Sequence, residues 1–545
     1  MSEFRNSFAE NVFRFKYAQG PGDTWAKLSE RLVEDVCGSR NGTVPILMST
    51  EDRKLLTQLI KDMKFIPGGR YLYYAGRPFK AYNNCFLLRA EEDTREEWSN
   101  VTWRAMSCLM TGGGIGIDYS RLRPAGKALS RTGGTASGPI PLMSAINEIG
   151  RNVMQGGSRR SAIYASLNWQ HEDVQKFLYI KNWSEEIKAM KLKDFNASAP
   201  LDMTNISINY DDASMVGGLE NNAVFLQNVR QAMETAEPGF SFNFGAKQNE
   251  TLRNACTEVT SEDDSDVCNL GSINMGRITS IEEFKQVVEL GSKFLVCGTL
   301  RADLPYEKVY KVREKNRRLG LGLMGIHEWL LKKGHKYEVS PELHKWLAVY
   351  RDESERAANE HCDRFYIGRP VAYRAIAPTG SIGILAGTTT GIEPLFAVAY
   401  KRRFLTEGTK WKYQYVVDGT ADLLIQQYGV KPEAIESALD LSENYEQRIK
   451  FQADIQDYVD MSISSTINLP SWGTKHNNEN EVKNFAATLA KYAPRLRGFT
   501  CYPDGSRGGQ PLTAVPYAEA LKHKDVVYEE LDICDISGKG GSCGV

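Results

Sequence analysis

From about residue 65 to residue 400 the chain alternates short apolar runs with helical stretches and glycine-rich turns. The runs Phe86 to Leu88, Ile115 to Ile117, Ile206 to Tyr210 and Phe240 to Phe244 have the length and bounding turns of strands. Strands alternating with helices over so long a stretch predict an α/β sheet or barrel. Upstream, residues 23–63 predict two amphipathic helices. In the first, Asp23 is the N-cap and Trp25, Leu28, Leu32, Val33 and Val36 form the apolar face; in the second, Ser49 and Thr50 precede Leu55, Leu56, Leu59, Ile60 and Met63. Ser280 and Glu283 make a capping box ahead of Phe284, Val287, Val288 and Leu290.

Beyond residue 400 the pattern predicts mostly helix. One stripe runs through Ile449, Ala453, Ile455, Tyr458 and Val459; another through Val482, Phe485, Leu489 and Tyr492 is ended by Pro494. Phe499 to Tyr502 then reads as a strand closed by the turn Pro503-Asp504-Gly505. Asp532 to Val545 has no apolar period, which predicts a mobile tail.

Charge excludes some functions. With 67 Lys+Arg against 68 Asp+Glu the formal net charge is -1, so neither a non-specific grip on nucleic acid nor attachment to an anionic membrane is expected. An acid at residue 3 argues against a secretory signal, and no apolar stretch approaches the roughly 18 residues that span a bilayer. The expectation is a soluble, cytoplasmic protein. None of the ten cysteines forms a C-x-x-C pair, which argues against a structural zinc site built from such pairs. Cys37, Cys108, Cys297 and Cys362 read as small buried hydrophobes.

The other cysteines lie among residues that can do chemistry. In Asn254-Ala255-Cys256-Thr257-Glu258 an extended backbone would turn Asn254, Cys256 and Glu258 to one face, presenting an amide, a thiol and a carboxylate together. Cys85 and Cys268 sit in strand-like segments beside polar residues and would close to a disulfide if folding brought their Cα atoms within about 7 Å. Cys534 and Cys543 lie in the glycine-rich tail, where two thiols on a flexible segment can reach a buried disulfide and exchange with it. In Ala377-Pro378-Thr379-Gly380-Ser381-Ile382-Gly383, hydroxyls and glycines at a helix start suit an anion. The runs Thr111 to Gly116, Gly133-Gly134-Thr135 and Gly156-Gly157-Ser158-Arg159-Arg160 let backbone approach a ligand, but they lack the strand-turn-helix context of a dinucleotide fold.

Together these segments resemble the catalytic subunit of the ribonucleotide reductase family. The matching motifs are Asn254 to Glu258, Cys268-Asn269-Leu270-Gly271-Ser272-Ile273-Asn274, Pro378 to Gly383 with Gly391-Ile392-Glu393-Pro394, and Thr466-Ile467-Asn468-Leu469-Pro470. The resemblance implies a ten-stranded α/β barrel of two antiparallel five-stranded halves with a central finger loop, occupying residues 65–515. A helical region (1–64) would precede it and a flexible redox tail (516–545) would follow.

The resemblance also implies roles. Cys256 would become a thiyl radical and abstract the 3'-hydrogen of a ribonucleotide, in a site kept dry inside the barrel. Glu258 would be the general base and Asn254 would hold the sugar hydroxyls. Cys85 and Cys268 would supply two electrons, to be recharged by Cys534 and Cys543 and then by thioredoxin or a glutaredoxin-like donor. Thr379, Gly380, Ser381 and Ile382 would bind the substrate phosphates. Metal-dependent relatives relay the radical through adjacent tyrosines, whereas this chain reads Phe499-Thr500-Cys501-Tyr502 there, so the cofactor expected is adenosylcobalamin. The start of the first helices near residue 8 leaves no space for an ATP-cone. The short interval from Cys85 to Cys256 favours a homodimer, whose interface would hold a deoxynucleotide or ATP effector near Asp93, Arg121, Arg123 and Arg159. Two alternatives remain at this stage: a large subunit fed by a separate metal-containing subunit, and a catalytically dead nucleotide-binding regulator.

Overall fold

The strand Asp266–Asn274 is buried along its whole length, and the fold is arranged around it. The computed structural model describes residues 3–39, 42, 44–153, 161–194, 197–406, 410–506, 512–524 and 526–529. In chain order the strands are β1 (Phe65–Pro67), β2 (Cys85–Arg89), β3 (Gly114–Asp118), β4 (Ile163–Asn168), β5 (Thr204–Tyr210), β6 (Gly239–Phe242), β7 (Leu252–Arg253) and β8 (Thr260–Ser261). They continue with β9 (Asp266–Asn274), β10 (Leu319–Met324), β11 (Ala399–Thr406), β12 (Lys410–Val417), β13 (Thr466–Leu469), β14 (Gly498–Pro503), β15 (Leu512–Ala514) and β16 (Val527–Glu529).

Ten of these strands form one sheet. From β2 to β6 each strand pairs in parallel with the next. β9 with β10, and β13 with β14, are also parallel. These groups meet antiparallel at β2/β9 and at β6/β14, and β1 adds antiparallel to β9. Residues 372–376 link the remaining ends: Leu319 N–H donates to the Ala372 carbonyl and Ile376 N–H to that of Ser462. Parallel bridges join Leu321 to Arg374 and Ile376 to Ile463. The crossovers of the parallel strands are helices, as parallel pairing requires.

The expected helical preface is present as Trp25–Cys37 and Thr50–Lys61, preceded by Ser7–Lys16. Its first cap is one residue later than expected. Thr24, not Asp23, accepts from Lys27 N–H; the Asp23 carboxylate is engaged by Arg31 and by the Gln19 amide. Ser280 caps Ile281–Arg301 as the capping box predicts, and this helix packs on β9, with Phe294 edge-on to Phe65 at 5.7 Å.

The stretch after residue 400 is not mostly helical. β11 and β12 form an antiparallel hairpin extended by β15 and β16 into a four-stranded sheet. Cationic residues disguise the strand period there: Lys401 Nζ sits 3.8 Å from the centre of the Tyr413 ring and the Arg402 guanidinium 4.6 Å from that of Phe8. Their charged heads lie over aromatic faces, as cation–π contacts. The expected helices Tyr445–Gln456 and Val482–Tyr492 follow. Among the described residues no helix is long and apolar enough to cross a membrane.

Candidate active site

Register places two of the three central sulfurs. β2 and β9 pair antiparallel with Cys85 directly opposite Cys268, and both are buried. Directly opposed residues of such a pair have Cα atoms about 4.5–5.5 Å apart, inside the range a disulfide spans. The condition for pairing that the sequence leaves open is therefore met by backbone geometry.

The third sulfur is carried by a finger. β7 and β8 pair as a two-stranded hairpin with Asn254 to Val259 at its tip. The extended backbone expected for Asn254 to Glu258 is not what forms. Thr257 N–H returns to the Asn254 carbonyl at 3.0 Å, and Thr257 has φ +70°. Across this turn the three groups differ in burial: Asn254 and Glu258 are buried, whereas Cys256 is exposed at the tip, with its thiol near enough to Cys85 to act on it electrostatically. The expectation that one strand face would present all three is thus corrected, because closing a hairpin requires a turn at that place. Cys256 is also open, not sealed, in the chain by itself.

Asn254 and Glu258 converge on Cys85. The Asn254 amide donates to Cys85 Sγ at 2.9 Å, and its oxygen accepts from Val259 N–H at 2.9 Å, bracing the finger. The Cys85 thiol points to Glu258 Oε1 at 3.8 Å, while Glu258 Oε2 is buried with no hydrogen-bond partner. Burial pushes the Glu258 carboxyl up to about 7. Burial, and then the neighbouring Glu258 carboxylate, hold both Cys85 and Cys268 well above the usual thiol range. At neutral pH these two sulfurs keep their protons.

The glycine run has a role in this packing. A Cβ on Gly116 of β3 would lie 1.7 Å from the Arg253 carbonyl oxygen, and one on Gly114 3.1 Å from the Ala255 methyl. Glycine lets backbone approach, as expected, but what approaches is the chain's own finger. Arg253, which no local motif singles out, is fully buried at the finger root. The bare glycines of β3 are the one trace of this packing visible in the sequence.

Other expected residues are arranged as follows. Thr379 precedes the short helix Gly380–Ala386. Its hydroxyl does not face outward: it is buried and accepts from Gly391 N–H at 2.8 Å, tying the loop to the Gly391-Ile392-Glu393 turn. Ser381 Oγ accepts from Lys16 Nζ at 3.0 Å, and Gly380 borders open space. Glu393 in turn joins two motifs, accepting from Thr466 N–H at 2.8 Å and pairing with Arg448 at 2.6 Å. Arg123 is ion-paired to Asp93, and Arg121 reaches the Glu91 carbonyl at 3.4 Å. Arg159, Cys534 and Cys543 lie outside the described residues. Cys501, in β14, is buried and faces the Ala232 carbonyl at 3.5 Å. Among the described residues no cluster of His, Cys, Asp or Glu has the arrangement of a metal site.

The chain is similar to known proteins over most of its length. The chain is 25% identical over 582 residues to a vitamin B12-dependent ribonucleoside-diphosphate reductase of Mycobacterium tuberculosis (strain CDC 1551 / Oshkosh), covering 95% of this chain and 82% of that one. It is 26% identical over 515 residues to a protein of that description from Thermoplasma acidophilum, covering 84% and 66%. Its fold matches a crystal structure of a B-12 dependent (class II) ribonucleotide reductase with TM-score 0.71, at 17% identity over 96% of this chain and 95% of that one. An Actinobacillus ureae class Id ribonucleotide reductase alpha subunit matches with TM-score 0.70, at 15% identity over 92% and 97%. Residues 83–203, 218–348 and 370–495 match the ribonucleotide reductase barrel domain, and the chain belongs to that family.

Proposed function

We propose that this chain reduces ribonucleotides to 2'-deoxyribonucleotides through a thiyl radical on Cys256, with adenosylcobalamin as radical generator. The observation that carries the reading is the convergence of Asn254 and Glu258 on Cys85, which stands in register with Cys268. The names of the relatives from Mycobacterium tuberculosis and Thermoplasma acidophilum support the cofactor.

In this reading the Cys256 sulfur takes the hydrogen atom from C3' of the ribose, and Glu258 takes the proton of the 3'-hydroxyl. Asn254 orients the sugar hydroxyls against Cys85. The C2'–O bond breaks and its oxygen leaves as water with a thiol proton. Two electrons come from Cys85 and Cys268 as their S–S bond forms, a C2'–H bond replaces C–O, and Cys256 returns its hydrogen to C3'. Thiols held in the protonated form suit this delivery, and a buried carboxyl near 7 suits proton exchange at neutral pH.

The exposure of Cys256 and the unpartnered Glu258 Oε2 fit a site completed by its ligands. Adenosylcobalamin, when bound, supplies the homolytic chemistry that removes the Cys256 thiol hydrogen. Thr379 to Ile382 would receive the substrate phosphates, with Thr379 holding the loop and Lys16 adding charge beside Ser381. Cys534 and Cys543 would reduce the Cys85–Cys268 disulfide and be recharged by thioredoxin or a glutaredoxin-like protein in the cytoplasm. A homodimer is supported by the exposed apolar stripe Trp103, Met106 and Met110 on the helix Arg95–Thr111. The Asp93–Arg123 pair lies just before the N-terminus of that helix, and with Arg121 and Arg159 is the proposed effector site.

The test is incubation of the purified chain with each ribonucleotide, adenosylcobalamin and a dithiol, followed by chromatography. Deoxynucleotide formed without a second protein supports the reading. Turnover that appears only on adding a metal-containing subunit overturns the cofactor assignment, and absence of turnover in both arms overturns the activity.

A further inference from the structure

Arg253 is the last residue of β7, immediately before the finger tip, and is 1% exposed. A buried guanidinium commonly has a carboxylate partner, yet among the described residues this one forms no ion pair. It donates instead to main-chain carbonyls: through Nη1 to Glu250 and to Leu252 at 3.0 Å, and through Nη2 to Phe242 at 3.3 Å and Arg497 at 3.0 Å. Nη2 also donates to Asn243 Oδ1 at 2.9 Å. The Arg497 carbonyl accepts Phe242 N–H as well, so Arg253 is fastened to the seam where β6 meets β14 antiparallel. On the opposite side its own carbonyl rests against Gly116 of β3.

Other bonds reinforce this root. Thr260 Oγ1 donates to Glu250 at 2.8 Å, joining the hairpin's two arms, and Thr251 Oγ1 donates to Asp118 at 2.7 Å. Burial and the neighbouring Arg497 lower the Arg253 guanidinium to about 9. The position therefore disfavours charge as such and uses the planar fork of donors, which can meet several carbonyls at once where a lysine ammonium presents a single point.

We propose that Arg253 is a positioning residue that sets the angle of the finger, and with it the placement of Cys256 and Asn254 over the Cys85–Cys268 pair. This rests on the catalytic reading above. A finger displaced by about 1 Å loses turnover on the order of 100-fold.

The experiment compares wild type, Arg253→Lys and Arg253→Ala, with thermal melting as the check of folding. In both variants kcat is expected to fall about 100-fold, and guanidinium chloride at sub-denaturing concentration is expected to restore Arg253→Ala in part. A second readout needs no turnover: the rate at which iodoacetamide alkylates Cys256, followed by peptide mass spectrometry, shifts severalfold in the variants and returns toward wild type with guanidinium. Wild-type kcat and wild-type alkylation in Arg253→Lys overturn the proposal, as does a folded Arg253→Ala whose losses guanidinium leaves untouched. Should Arg253→Ala not fold, Arg253→Lys decides. A wild type that makes no deoxynucleotide defeats the catalytic reading, while the alkylation arm still decides whether Arg253 places the finger.

Discussion

Cys85 and Cys268 face each other across the antiparallel β2/β9 pair, far apart in sequence and adjacent in the sheet. Both are buried, and the Glu258 carboxylate reaches the first of them. Two protonated thiols in cross-strand register form a two-electron store that can close without moving the backbone far.

This arrangement predicts where the electrons come from. In a single turnover without reductant, peptide mapping should find one new disulfide, between Cys85 and Cys268. Cys85→Ser and Cys268→Ser should each abolish that disulfide and lower deoxynucleotide formation about 1000-fold or more. A new disulfide elsewhere, with these two thiols intact, would refute the assignment.

With Glu258 as the proposed general base, chemistry and stability should depend on pH in opposite senses. A general base must be ionised, so kcat should rise with pH through the region near 7, where burial has placed this carboxyl. The folded pKa lies above the ordinary carboxyl value of 4.5, so the folded chain binds more protons than the unfolded one between these two values. Stability from this group is accordingly full below about 4.5 and is lost as pH rises through about 7. Glu258→Gln removes the penalty: it should be inactive, and more stable than wild type by about 3 kcal/mol at pH 8, with little of that gain at pH 4.5. Denaturant titrations at the two pH values check the sign; an equal gain at both would contradict it.

The contact between β3 and the finger predicts an unusual glycine. Gly116→Ala places a methyl carbon against the Arg253 carbonyl, backbone against backbone, and should cost about 3 kcal/mol by overpacking or else displace the finger. Gly22→Ala, where a Cβ meets nothing within 4 Å, is the control and should be close to neutral. Comparable melting temperatures for the two variants, together with wild-type turnover in Gly116→Ala, would show that the finger does not rest on β3 in solution.

Some of this was readable in the residues. The apolar faces of Trp25–Cys37 and Val482–Tyr492, the Ser280 cap and the strands at Phe86, Ile115 and Ile206 follow from local periodicity and capping. The hairpin of β11 and β12 was not, because Lys401 and Arg402 cover aromatic rings that local polarity does not reveal. The loop from Thr379 to Ile382 was half readable: its helix start was evident, but the engagement of the Thr379 hydroxyl by Gly391 N–H depends on a later turn folding back.

By itself the sequence determined the chemical kinds available, namely thiols, a carboxamide and a carboxyl in recognisable motifs, and the local elements that carry them. Tertiary structure alone decided that Cys85 meets Cys268, that a turn at Thr257 leaves Cys256 exposed while Asn254 and Glu258 are buried, and that Arg253 anchors the finger to the β6/β14 seam. The physical reason is that periodicity and capping are set by neighbours along the chain. Strand register, and the raising of Glu258 by burial, depend on surroundings assembled from distant segments, and these exist only once the sheet has formed.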